Sequence, residues 1–192
     1  MQHSGFSLIE TAVALAIIAS VAALAAPTML SARDDARARG AADHVASVLH
    51  LARLEALKRN VNVALRFEEE GEEVRFRMYA DGNGNGVRTA ETRTGIDPAL
   101  GPGERLTDQF PGVRFAVDEG VTAIDADTTA EGEALRLGAS RMASFSPLGT
   151  SSSGTVFLLG RGHHQFAVRL LGPTGRIRVL EYSYGVREWS AR

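Results

Sequence analysis

The sequence contains no cysteine, which removes disulfide frameworks, thiolate zinc sites and cysteine nucleophiles together and leaves packing to hold the fold. Aromatic residues are scarce at 6%, and lysine is almost absent, since 20 of the 21 cationic residues are arginine. That bias carries no function by itself. Neither sign of charge dominates: the net charge is −2, so the chain as a whole is not a polycation built to coat nucleic acid, and any basic site must be local. What is present is 192 residues with 44% hydrophobic and 23% charged, about one domain of chain able to bury a core, which excludes wholesale disorder.

The sequence has one long apolar run. From Ala12 to Ala26 it carries no charge and one hydroxyl, Ser20, and the flanks from Phe6 to Leu30 add a single acid, Glu10. As a helix, Thr11 to Leu30 is about 30 Å long, enough for the hydrocarbon core of a bilayer. A buried core helix or a secretory signal cut among the small residues Ala23 to Ala26 has a similar composition. The acid separates these readings. A carboxylate near the centre of a membrane helix costs about 2.5–3.5 kcal/mol on insertion scales, less toward the interface, and is retained when a partner exists. If the chain is cut after Gly5, the new amino terminus of Phe6 lies one helical turn from Glu10, and a neighbouring copy can offer that amine to the carboxylate.

At Gly5, Phe6 and Glu10 the sequence resembles the type IV pilin and pseudopilin superfamily, whose leader ends in glycine before phenylalanine, with glutamate at the fifth mature position. The resemblance implies cleavage between Gly5 and Phe6 by the prepilin peptidase, methylation of the Phe6 amine, and assembly with other pilin or pseudopilin subunits in which Glu10 neutralises an amine. Pro27 falls where many members have a helix-kinking proline. The leader itself has no lysine or arginine, whereas Arg33, Arg37 and Arg39 follow the span, the reverse of the positive-inside pattern. Either Asp34, Asp35 and peptidase recognition offset this, or translation starts upstream.

Beyond the span, Ala42, Val45, Val48, Leu49, Ala52 and Ala56 recur at three- and four-residue steps and predict a half-buried helix to about Arg59. Gly40 costs near 1 kcal/mol relative to alanine in a helix, so a bend or partial melting is expected around residues 33–41. His44 and His50 are six apart, not at the spacing of a helical metal pair, and read as surface or boundary residues. Val61 to Phe67 and Val74 to Ala80 flank the acidic run from Glu68 to Glu73 and predict a hairpin with solvated charges. Further strands are expected at Val113 to Val117, Ala134 to Leu137, Thr155 to Leu159, Gln165 to Leu171 and Arg176 to Tyr182. The stretches Thr89 to Thr107 and Gly120 to Glu133 show no pattern.

Three blocks narrow the resemblance: Leu51 to Asn60, Phe145 to Thr150 with Ser153 to Val156, and Gly175 to Val179. They are similar to those of the GspH/FimT family of minor pseudopilins and minor type IV pilins. The fold class implied is α+β and pilin-like: a leader at 1–5, a transmembrane helix at 6–30, an amphipathic helix at 31–60, and a mostly antiparallel β head at 61–192. The location implied is the inner membrane, single-pass, with the head in the periplasm and the subunit in a filament.

Two constellations in the head suggest further chemistry. Asp81, Asn83 and Asn85 with Gly86 place oxygens at positions one, three and five and glycine at six, as in a calcium loop of EF-hand type. The closing acid is out of register, Glu91 being one residue early, and a glycine-asparagine turn explains the same letters without metal. Charge is also uneven: residues 64–133 carry a net −9 and residues 161–192 a net +4. On a strand Arg176 and Arg178 project from one face about 6.6 Å apart, able to hold phosphates or to pair with a neighbour's acids. The resemblance adds that DNA-uptake minor pilins of this family use a Gly-Arg-x-Arg segment, matched by Gly175, Arg176 and Arg178.

For catalysis there is little. Thr150 to Gly154 is not a nucleophile elbow, and His163 and His164, being adjacent, point to opposite faces of a strand. The reading is therefore no enzyme, no small-molecule substrate and no required cofactor: a membrane-anchored minor pseudopilin of a type II secretion filament, or, as the alternative, a minor type IV pilin that binds DNA for uptake.

Overall fold

From Leu8 onward the chain forms a single helix, α1 (Leu8–Arg59), of 52 residues. The computed structural model describes residues 7–71, 73–124 and 133–191, without the side chains of Ala26 and Pro27; the leader, with Gly5 and Phe6, lies outside the described residues. The two halves of α1 differ in burial. Every described side chain up to residue 33 is exposed, whereas Ala38, Ala41, Ala42, Val45, Leu49, Ala52 and Ala56 are buried. The expected apolar stripe thus exists and extends one turn earlier. Asn60 ends the helix in the left-handed conformation, with Lys58 and Arg59 in the last turn beside the free carbonyls.

The partial melting expected at residues 33–41 is absent. The helix runs through Gly40 without interruption, because this glycine serves packing: a β-carbon there would sit 3.1 Å from the Phe110 ring. Pairs one turn apart, Arg37 with Asp34 at 3.4 Å and Arg39 with Asp35 at 3.1 Å, brace the same segment.

After the helix come β1 (Val63–Glu70), β2 (Glu73–Ala80), α2 (Thr89–Thr94), β3 (Glu104–Arg105), α3 (Leu106–Gln109), β4 (Leu135–Arg136), β5 (Met142–Phe145), β6 (Gly154–Leu159), β7 (Gln165–Leu171), β8 (Arg176–Ser183) and β9 (Glu188–Ala191). They form two antiparallel sheets, in the order β3-β2-β1-β5 and β4-β6-β7-β8-β9. The α+β, pilin-like layout read from the sequence is the one observed.

Three local expectations fail. Val113 to Val117 is not a strand: among the described residues its only ladder contact is a bridge from Arg114 to Leu159, and its alternation reflects Val113 and Phe115 packing on the core. Ala134 to Leu137 shrinks to two paired residues, opposite Val156 and Thr155. The acids of the first hairpin are not simply solvated. Arg66 meets Glu68 at 2.6 Å, and Arg105, delivered by β3 from a stretch without pattern, meets Glu70 at 2.8 Å. That hydrogen bond, with the Arg75 charge nearby, outweighs partial burial and holds the Glu70 carboxyl below the ordinary carboxylate range.

One core joins the helix to both sheets, with Phe67 and Phe76 from the first and Leu158, Phe166, Val168 and Leu170 from the second. Full burial of such a side chain contributes about 1.5–3 kcal/mol. Alanines at most contact positions of α1 let helix and sheet approach closely. The opposite face of the second sheet carries a small cluster of Phe157, Ala167 and Leu180 covered by Val117, Ile124 and Trp189.

Candidate assembly helix and basic strand face

The exposed half of α1 is the only described helix long and apolar enough to cross a membrane. Leu8, Ile9, Val13, Leu15, Ile17, Ile18, Val21 and Leu24 are more than half exposed and surround it on all sides, which in water would leave a large apolar area wet. Its hydroxyls are satisfied within the helix: Thr11 donates to the Leu8 carbonyl, Ser20 to Ala16 and Thr28 to Ala25, each at 2.8 Å. Glu10, in the first turn, is the one ionisable side chain between Leu8 and Ala32, and no described side chain reaches it. A group that is costly in lipid and has no partner among the described residues is suited to one offered by another chain.

In the head, the turn before β8 is built from long-range contacts. Gly175 has φ of 59°, and a β-carbon there would lie 2.7 Å from the Gly149 carbonyl oxygen and 3.3 Å from the Arg53 guanidinium. Only glycine fits without strain. Arg53 of α1 donates to the Gly175 carbonyl at 3.1 Å and so ties this turn to the helix.

Beyond the turn Arg176 and Arg178 are exposed on one face of β8, while Ile177 and Val179 turn toward the helix and core. Strand register adds residues that sequence reasoning missed. Arg178 lies opposite Arg169 of β7, Arg169 opposite Thr155 of β6, and Thr155 opposite Arg136 of β4, so three arginines line one row across the sheet. Arg136 packs its guanidinium 5.0 Å above the Phe157 ring and donates to the Glu133 carbonyl at 3.2 Å. Among the described residues no acid pairs with Arg176 or Arg178.

The Asp81 loop is a turn whose own amides fill its carboxylates. Asp81 Oδ1 accepts from the Asn83 and Gly84 amides at 3.2 and 2.7 Å, and Oδ2 from Gly86 and Asn62 at 2.7 and 2.9 Å. Burial opposes the charge on Asp81, yet these bonds outweigh it and hold the carboxyl below its ordinary range. The Asn83 and Asn85 side chains donate to Glu91, at 3.2 and 2.9 Å. Among the described residues no group of three or more His, Asp or Glu side chains is placed to hold a metal ion.

The two adjacent histidines diverge. His163 Nδ1 lies 2.6 Å from Asp118, and His164 Nδ1 lies 3.5 Å from Asp35 on α1. Tyr184 also donates to Asp118 at 2.6 Å; burial first, and this bond second, push its phenol up. Burial opposes the charge on Asp118, but the Tyr184 and His163 bonds outweigh it and lower its carboxyl. The cluster clips the β8–β9 turn to the chain at Asp118. His44, read as a boundary residue, bonds Glu104 at 2.9 Å between the Phe76 and Phe110 rings. The hydroxyls from Thr150 to Ser153 bond to their own loop and neighbouring backbone, with Ser152 accepting from the Ser144 amide at 3.0 Å and Ser153 from the Gly172 amide at 3.1 Å.

A model of the family described as type II transport protein GspH matches residues 41–175, and one described as the prokaryotic N-terminal methylation motif matches residues 1–26. The chain belongs to the GspH family. The second match spans Gly5, Phe6 and Glu10; the first spans the buried half of α1 and the head as far as Gly175. No curated protein and no solved structure matches the chain. GspH-family membership, the methylation motif and the apolar helix together give a pilin-like, membrane-anchored subunit of a structural family rather than of a known enzyme family.

Proposed function

We propose that this GspH-family chain is a minor pseudopilin of a type II secretion system. In this reading the prepilin peptidase cuts between Gly5 and Phe6 and the Phe6 amine is methylated. The first half of α1 then anchors the subunit in the inner membrane with its head in the periplasm. The observation that carries the reading is Glu10, a lone carboxylate on an apolar helix with no partner among the described residues. Helix packing against other subunits supplies the missing amine and withdraws the apolar surface into a filament whose tip supports export. The test is a deletion strain complemented with the wild-type chain and assayed for secretion and for transformation. Loss of export with transformation intact supports the reading, and the reverse overturns it.

The second reading, a minor type IV pilin that takes up DNA, is favoured by one observation: Arg176 and Arg178 stand exposed on the face that also carries Arg169 and Arg136. Arginines on one face can neutralise successive phosphates without reading sequence.

A further inference from the structure

Strand β8 runs back along α1 toward its apolar half. Its start is tied to Arg53 through the Gly175 carbonyl, and its far end to Arg39, whose guanidinium lies 3.8 Å from Glu181. Nearer still to the span, His164 meets Asp35 at 3.5 Å. Asp35 follows Leu30, the last large apolar residue of the long run, at a distance of about 7 Å along the helix. The headgroup layer on each side of a bilayer is about 5–7 Å thick, so this contact stands at its outer limit. From Glu181 the β8–β9 turn, residues 184–187, continues about 10 Å in the same direction at the rise of a strand. That brings it level with Arg33, the first charged residue after the span.

The turn is apolar at its tip. Among the described residues of the head, the large apolar side chains left exposed are Ile96, Leu148, Tyr184 and Val186, and this turn carries two of the four, Tyr184 at 38% and Val186 at 68%. Their exposure is fixed by the fold. Tyr184 donates to Asp118 at 2.6 Å and packs edge-on to Tyr182, with ring centroids 4.9 Å apart, while Thr122 donates to the Arg187 carbonyl at 3.1 Å. Arg187 in the turn and Arg161, in the adjoining turn that packs against Ala38, are exposed and have no ion pair among the described residues. Of the acids nearby, Asp118 and Glu181 are engaged by Tyr184 and Arg39, and Glu119 and Glu188 are open. An aromatic ring, a valine and unpaired guanidinium groups are the side chains that suit a lipid interface, where apolar bodies are buried and phosphates accept hydrogen bonds.

We propose that the β8–β9 turn is a second membrane contact: Val186 and the Tyr184 ring seat in the headgroup layer beside the anchor, and Arg161 and Arg187 hold lipid phosphates. A single spanning helix leaves the head free to rotate about its axis, and this contact removes that freedom. The proposal rests on the membrane-anchored reading of α1 and uses neither Glu10 nor the Arg176 face.

The test uses the full chain in vesicles of phosphatidylcholine and phosphatidylglycerol. Because the sequence has no cysteine, single cysteines carrying an environment-sensitive fluorophore can be placed at will. Gly185→Cys reports on the turn, since a β-carbon there meets nothing within 4 Å; Ile18→Cys reports on the span, and Leu148→Cys on the distal surface. Lipids with a spin label near the headgroup should quench the Gly185 reporter at least threefold more than the Leu148 reporter. Val186→Asp should abolish that difference, and R161Q/R187Q should at least halve it. Emission of Trp189, the one tryptophan, packed against Phe157 and Tyr182, shows that each variant is folded. Deep quenching at Ile18 with none at Gly185 overturns this proposal alone, whereas no quenching at either overturns the anchor as well. Quenching at Gly185 that survives Val186→Asp also overturns it. So does self-quenching of the Gly185 label as protein is crowded into the vesicle without quenching by lipid, which would make the turn a contact between copies of the chain.

Discussion

Arg53 donates a hydrogen bond to the carbonyl of Gly175, 122 residues away in sequence, at 3.1 Å. This contact fastens the helix to the turn from which the basic strand departs, and it puts Arg53 and Gly175 under one constraint. Replacing Arg53 by Ala should cost about 1–2 kcal/mol, since a charged donor to a partly buried carbonyl is lost. Thermal melts should show the loss, and hydrogen exchange should rise at the Gly172–Gly175 turn before the rest of β8. Unchanged exchange at that turn would show that the arginine does not hold it.

The mature protein should begin at Phe6 with a methylated amine. Mass spectrometry of membrane-extracted protein reads this directly, and a terminus near Ala26 would mean that the apolar helix is a removed signal.

Glu10→Ala should insert in the membrane as well as the wild type or better, because a charge costly in lipid is gone. Incorporation into filaments should fall, because a neighbour's amine loses its partner. Co-purification of the variant with other subunits, measured against membrane-fraction abundance, separates the two effects. Normal incorporation with full export would contradict the assembly role.

Asp81 makes stability depend on acid. Its folded carboxyl titrates below the ordinary value of 3.8, so its contribution is complete above that value and is lost as pH falls through the lower folded value. Asp81→Asn removes the charge that the four N–H donors face. Its melting temperature should fall well below the wild type at neutral pH, and the two should converge in acid. A gap that stays constant with pH would mean that the charge is not what the loop holds.

If Arg176 and Arg178 grip phosphates, the full chain in micelles should shift duplex DNA of arbitrary sequence in low salt. Affinity should then fall with salt by a slope of about 0.7–0.9 per phosphate neutralised. Arg176→Gln with Arg178→Gln should reduce the shift without lowering the melting temperature, since exposed strand arginines contribute little to stability. No shift for the wild type, or an identical one for the variant, removes the DNA reading.

Local periodicity made much of this molecule legible. The stripe from Ala42 to Ala56 is the buried face of α1, and the alternation of Val63 to Ala80 and Gln165 to Tyr182 marks strands that exist. Gly40 was misread for the same reason. Helix propensity counts its missing side chain as a weakness, but the ring that occupies the space belongs to Phe110, 70 residues on. Val113 to Val117 alternates because one face is buried, and burial alone forms no ladder.

The sequence by itself determined the N-terminal half of α1 and its lone acid, because membrane length, charge absence and the spacing of Gly5, Phe6 and Glu10 are properties of consecutive residues. It also set Arg176 and Arg178 on one face, by the two-residue period of a strand. Only the tertiary structure decided that Arg169 and Arg136 share that face and that Arg53 anchors Gly175. The physical reason is that strand neighbours and their register are chosen by burial across the whole core, a long-range condition that no local period records.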